Sequence, residues 1–236
     1  KGAGLAEMTH IGVPIPQGFT VSTEACTLYY DSNKSMPKEL IDQIDNGIRE
    51  VEKETGKSFG GIEAGKTPLL VSVRSGARVS MPGMMDTILN LGLNDQSVET
   101  LAKVSNNERF AYDSYRRFIL MFTNIAKGHP RTDMDRMLEK IKEDNGYKVD
   151  TEVTTEQLKA LVKQYKEYYK TTFGEEFPTD PFVQLHEAVE AVFRSWDNPR
   201  ANVYRKMNSI PYSWGTAVNV QSMVFGNLNE NSGTGV

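Results

Sequence analysis

Two cations and three small-residue turns are the parts of this chain with chemistry to offer. Arg74 closes an apolar run, Leu69-Leu70-Val71-Ser72-Val73, and Ser75, Gly76 and Ala77 separate it from a second arginine, Arg78. A guanidinium presents a planar fork that matches phosphate oxygens two at a time, and small residues let a ligand approach main-chain N–H groups. The loop Val79-Ser80-Met81-Pro82-Gly83-Met84-Met85-Asp86-Thr87 follows, and Gly83 is its candidate for backbone contact with a ligand. Lys1 heads a second small-residue stretch, Lys1-Gly2-Ala3-Gly4, in front of a short helical run, and a helix start suits an anion. A third, Ser232-Gly233-Thr234-Gly235, has the donors of a phosphate-covering turn. Each also has a plainer reading: a surface cation at a strand end, an ordinary turn, a hairpin tip.

Other residues could hold a base or a metal. After Trp214-Gly215-Thr216, Val218, Val220, Ser222 and Val224 alternate with Ala217, Asn219, Gln221, Met223 and Phe225, as in a strand with one valine face. On the mixed face Met223 suits the flat side of an adenine ring and Gln221 its polar edge; an edge strand with a semi-polar face fits equally. His10, His129, His186 and Cys26 stand apart, with no zinc-ligand spacing. Glu7, Glu24 and Asp86 are magnesium candidates by residue type only; the structural reading of each weighs more, and no metal ligand is assigned within the chain.

These residues need elements to hold them. The run ending at Arg74 reads as a buried strand, Phe19-Thr20-Val21-Ser22 as another, and residues 57 to 67 as a polar loop. Leu40, Ile44, Ile48 and Val51 recur at helical spacing up to Gly56. From about Asn94 to Asp180 helical periodicity takes over, including a capping box at Thr154 with Gln157. Asp180-Pro181 starts a helix whose stripe is Phe182, Leu185, Val189, Phe193 and Trp196. Composition sets the outer bounds: 39% hydrophobic and 25% charged residues over 236 positions is globular. A net charge of −4 argues against a nucleic-acid partner, which would want a basic face. No apolar run reaches membrane-spanning length, and one cysteine excludes an internal disulfide and fits a reducing, cytoplasmic compartment.

SVRSGARVSMPGMMDTILNLGLN, together with KGAGLAEM, IPQGFTVSTEAC, AVFRSWDNPRANVY, IPYSWGTAVNVQSMVFGN and SGTGV, resembles the nucleotide-binding region of the pyruvate, phosphate dikinase family. The resemblance implies an α+β, ATP-grasp-like domain with a mixed or antiparallel sheet and flanking helices. Residues 1–93 would form a first lobe, 94–180 a helical insertion, 181–214 a return to the first lobe and 215–236 the start of an incomplete second lobe. It implies that Lys1 and Thr234 bind the triphosphate, that Arg74 stabilises the transferring phosphoryl group, and that Gln221 and Met223 lie near the hinge beside the adenine. Gly4 stands where the family pattern has Asn.

The implied reaction takes ATP, orthophosphate and pyruvate to AMP, diphosphate and phosphoenolpyruvate, with the β-phosphoryl passed to a histidine on a separate carrier domain. Further partners would be a pyruvate-binding barrel and, at full length, a second copy in a homodimer. Mg²⁺ would be held by acids beyond Val236. The chain is expected to be a piece of something longer that does not catalyse the full reaction alone. A pyruvate, water dikinase and a nucleotide-binding regulatory module without transfer activity are the alternatives.

Overall fold

The computed structural model describes residues 1–236 apart from 62, 64, 229, 230 and 236. Helix α1 (Gly2–His10), strand β1 (Gly18–Val21), helices α2 (Thr23–Asp31) and α3 (Lys38–Thr55), and strands β2 (Ser58–Phe59), β3 (Pro68–Leu69), β4 (Val71–Gly76) and β5 (Thr87–Leu91) come first. Helices α4 (Asp95–Ser105), α5 (Glu108–Ile125), α6 (Thr132–Asn145), α7 (Thr155–Phe173), α8 (Pro181–Ser195) and α9 (Pro199–Met207) follow, and strand β6 (Ala217–Ser222) returns to the sheet. The class is α+β.

The sheet runs β1-β6-β4-β5, and every neighbouring pair is antiparallel. Side chains alternate along a strand, so each register row shows one face. One row joins Phe19, Val220, Val73 and Ile88. Of these, Val73, Val220 and Ile88 are buried, and helix α8 packs across β4, β5 and β6, with α2 on β6, α3 on β1 and α5 on β5. The next row joins Thr20, Asn219, Arg74 and Thr87 across all four strands, and it is wholly polar. Helix α1, which has no buried residue, comes down on that polar row at its Gly2 end.

The helices form where apolar spacing and end signals agree. Helix α3 buries Leu40, Ile44, Ile48 and Val51 and stops at Gly56, whose φ of 68° is costly for residues with a Cβ. The Thr154 and Gln157 side chains cap α7 reciprocally, and Asp180 accepts from the Phe182 N–H at the start of α8. The buried faces of α4 to α7 belong to the same apolar core as the valine face of the sheet.

Three placements differ from the sequence reading. The stretch read as a polar loop contains β2, whose two residues pair in parallel with β3 and are buried; two residues are too few to show a period. The turn expected at Lys1-Gly2-Ala3-Gly4 is already the first turn of α1, with Lys1 at its N-cap. The strand read over residues 217–225 is shorter, β6 ending at Ser222, and it lies between β1 and β4 in the middle of the sheet.

Candidate functional site

Lys1 and Arg74 meet at the polar row. The Lys1 ammonium donates to the Ser75 carbonyl at 2.7 Å, next in the strand after Arg74. Burial and then the neighbouring Arg74 charge push the Lys1 pKa below its ordinary 10.5. Arg74 Nη2 donates to Gln221 Oε1 at 2.6 Å, and Gln221 Nε2 donates to the Pro16 carbonyl at 3.0 Å. Both cations thus rest on neutral acceptors, and neither has an ion pair among the described residues.

Two donors on this row are buried and unpartnered: Arg74 Nε and Asn219 Nδ2. Asn219 is oriented by Thr20, whose hydroxyl donates to its Oδ1 at 3.0 Å. Glycines make room for this arrangement. A Cβ at Gly76 would stand 2.4 Å from Asn219 Nδ2, and one at Gly2 2.6 Å from Thr20 Oγ1. A cleft of about 330 Å³ lies beside this row between α1 and the sheet, lined by Gly2, Pro16, Thr20, Glu54 and Gln221 among others and not by Lys1 or Arg74. Two cations with no ion pair among the described residues, beside buried donors left unpartnered, make a combination that an anion would satisfy.

The other expected residues fall elsewhere. Met223 follows β6; its N–H donates to the Leu70 carbonyl at 2.8 Å and its half-buried side chain packs on the main core. Gly83 is exposed at φ 70° on the loop before β5. Thr234 is exposed, with its methyl 2.5 Å from where a Cβ on Gly226 would stand. Arg78 lies over the Trp214 ring at 5.6 Å. Asp86 takes a bond from Asn198 at 3.1 Å and pairs with Arg200, which also donates to the Met84 carbonyl at 3.1 Å. These contacts tether the Gly83 loop to α9. Glu7 is exposed, and the Ser22 hydroxyl holds the exposed Glu24 carboxylate below its usual range. Among the described residues no three His, Cys, Asp or Glu side chains gather as a metal site, so this set does not fit a magnesium ion.

A roomier cleft, about 950 Å³, opens between the end of α5, α8 and the start of α9. Three of its cations are answered by carboxylates, Lys127 by Glu175 and Glu187, Arg194 by Glu190 and Arg200 by Asp86, while Lys34 lies over the Tyr30 ring at 5.9 Å. Size favours that cleft for a ligand, but uncompensated charge favours the polar row for an anionic one. Sequence reading missed Thr20 and gave no role to Asn219. The register signal was present, since Asn219 shares the mixed face of its strand with Gln221, and Thr20 alternates with Phe19 and Val21.

Among the described residues no helix is long and apolar enough to cross a membrane. A family model described as "Pyruvate phosphate dikinase, AMP/ATP-binding domain" matches residues 32–236. The chain is 59% identical over 237 residues to pyruvate, phosphate dikinase of Clostridium symbiosum, covering 100% of this chain and 27% of that protein. It is 55% identical to the chloroplastic pyruvate, phosphate dikinase of Flaveria trinervia and 51% identical to the pyruvate, phosphate dikinase of Rhizobium meliloti, again over 100% of this chain and over 24% and 26% of theirs. The chain spans about a quarter of the length of these curated relatives. Matching over most of its length and at this identity, the chain belongs to the pyruvate phosphate dikinase AMP/ATP-binding domain family.

Proposed function

We propose that the chain binds ATP with its polyphosphate over the polar row, as the nucleotide domain of a pyruvate, phosphate dikinase. The carrying observation is the proximity of Lys1 and Arg74 without a carboxylate between them. Two like charges held together and partly dehydrated are unfavourable until an anion arrives, and phosphoryl transfer needs mainly positioning and charge neutralisation. In this reading Lys1 binds the triphosphate and Arg74 steadies the β-phosphoryl as it passes to a histidine on a separate carrier domain. The overall reaction consumes ATP, orthophosphate and pyruvate and yields AMP, diphosphate and phosphoenolpyruvate, with a barrel domain handling pyruvate. Met223 is assigned the apolar side of the adenine, and the Gly83 and Thr234 loops are assigned the closing of the phosphate end. Mg²⁺ is assigned to acids outside the described residues, and no step here depends on it.

The finer architecture proposed is ATP-grasp-like, with 94–180 as a helical insertion. Its support is that all four strands of the main sheet come from 18–91 and 217–222. Because β6 completes that sheet, the first lobe is taken to extend through Ser222. The test is full-length protein given β-labelled ATP. Label on the carrier histidine together with AMP, and diphosphate release that demands orthophosphate, is expected. Turnover without orthophosphate would indicate a water-using dikinase, and binding without turnover a regulatory module.

A further inference from the structure

We infer that Gln221 acts on phosphoryl transfer through Arg74, as a neutral clamp that sets the guanidinium's direction without cancelling its charge. This inference rests on the role given to Arg74 above and assigns Gln221 to positioning instead of adenine recognition. Three observations carry it. First, both ends of the amide are spent inside the protein: Oε1 on Arg74 Nη2 at 2.6 Å and Nε2 on the Pro16 carbonyl at 3.0 Å. An amide so used keeps one N–H and one lone pair, but its orientation is set by the arginine and the main chain instead of by a base. Second, the side chain is 7% exposed, and the residue opposite it on β1 is Gly18, so no neighbouring side chain competes for the path to Pro16. A Cβ on Gly18 would stand 2.3 Å from the Val220 carbonyl, so that position cannot take a larger residue without moving the strand.

Third, the clamp is an amide where a carboxylate would bind arginine more tightly. A carboxylate would neutralise the guanidinium and lower its pull on phosphate. Glutamine fixes direction alone. With Nη2 held, Arg74 Nε stays buried and unpartnered, a donor already dehydrated and available for a phosphoryl oxygen.

The experiment uses the full-length enzyme, with single-turnover transfer from labelled ATP to the carrier histidine, and separate titrations with ATP and with adenosine. Gln221→Met keeps the length and apolar bulk but removes the clamp. It is expected to slow transfer by about 10- to 100-fold while ATP and adenosine affinities stay within about threefold, because a misaimed group loses far more in the transition state than in the ground state. Gln221→Glu keeps the acceptor and adds charge, and is expected to weaken ATP by about tenfold and leave adenosine unchanged. In an Arg74→Lys background, which has no planar fork to aim, Gln221→Met is expected to cost less than about threefold more.

Transfer at the unsubstituted rate in Gln221→Met would overturn the inference. So would equal losses in both backgrounds, which mark a purely structural role, or a fall in adenosine affinity, which marks contact with the base. Should Gln221→Met not fold, Gln221→Glu decides alone: ATP affinity unchanged or improved by the added charge contradicts a clamp that must be neutral. If Arg74→Lys by itself transfers at the normal rate, the role of Arg74 fails, and that result is separate from any failure of the clamp.

Discussion

The two faces of the central sheet are made by the same four strands and have opposite characters. On one, Val73, Val220 and Ile88 are sealed under helices, and volume and apolarity satisfy every requirement. On the other, one residue away on each strand, Thr20, Asn219 and Arg74 lie in register with buried donors left unpartnered. The valine face resembles a protein interior that is finished. The polar face resembles an interior missing one component, with Arg74 Nε and Asn219 Nδ2 unpartnered, and an anionic ligand is the component proposed for it. A strand that is apolar on one side and uncompensated on the other thereby does two jobs: packing against α8 fixes the backbone, and the backbone aims Arg74.

The largest effect should come from breaking the finished face. Val220→Asp places a carboxylate among valines with no partner, and a loss of about 3–5 kcal/mol in unfolding free energy is expected in denaturant titration. A loss below about 1 kcal/mol would show that this face is less sealed than its burial indicates. Next comes Arg74→Ala, on the opposite side of the neighbouring strand. Carrier phosphorylation should fall by about 10²–10³-fold while the melting temperature moves by no more than about 4 °C. If the two substitutions gave similar melting shifts, the division of labour between the faces would not hold.

A smaller effect sharpens the electrostatic side. Lys1 has a pKa below 10.5 because of burial and then Arg74. Between that lowered value and 10.5 the unfolded chain binds the proton that the folded one has released, so stability of the nucleotide-free protein rises with pH across the window. ATP binding should behave oppositely, weakening as the ammonium is lost and taking up a proton in the same window. Lys1→Met should flatten both differences. Identical pH profiles for the two proteins, measured by thermal melts and ATP titration, would remove Lys1 from the site.

Legibility in the sequence follows the same division. Periodicity exposed the helices and the valine alternation of β6, since repeated burial leaves a repeated pattern. Arg74 stood out because a cation interrupts an apolar run. What the sequence could not show was pairing. That Thr20 lies beside Asn219, and Asn219 beside Arg74, depends on a register joining residues about 200 and 145 positions apart. For Asp86 a structural role outweighs a metal one on residue type, but that its partners are Asn198 and Arg200, making it a tether for the Gly83 loop, is visible only in the fold. Gln221 was singled out for its polarity, but only coordinates show which group that polarity serves.

The central claim is that Lys1 and Arg74 face one polyphosphate. A crystal structure of the full-length protein with a non-hydrolysable ATP analogue tests it most directly. The account predicts phosphate oxygens within hydrogen-bonding distance of both the Lys1 ammonium and the Arg74 guanidinium, over the polar row. Phosphates seated instead in the cleft between α5, α8 and α9, with Lys1 and Arg74 untouched, would contradict it.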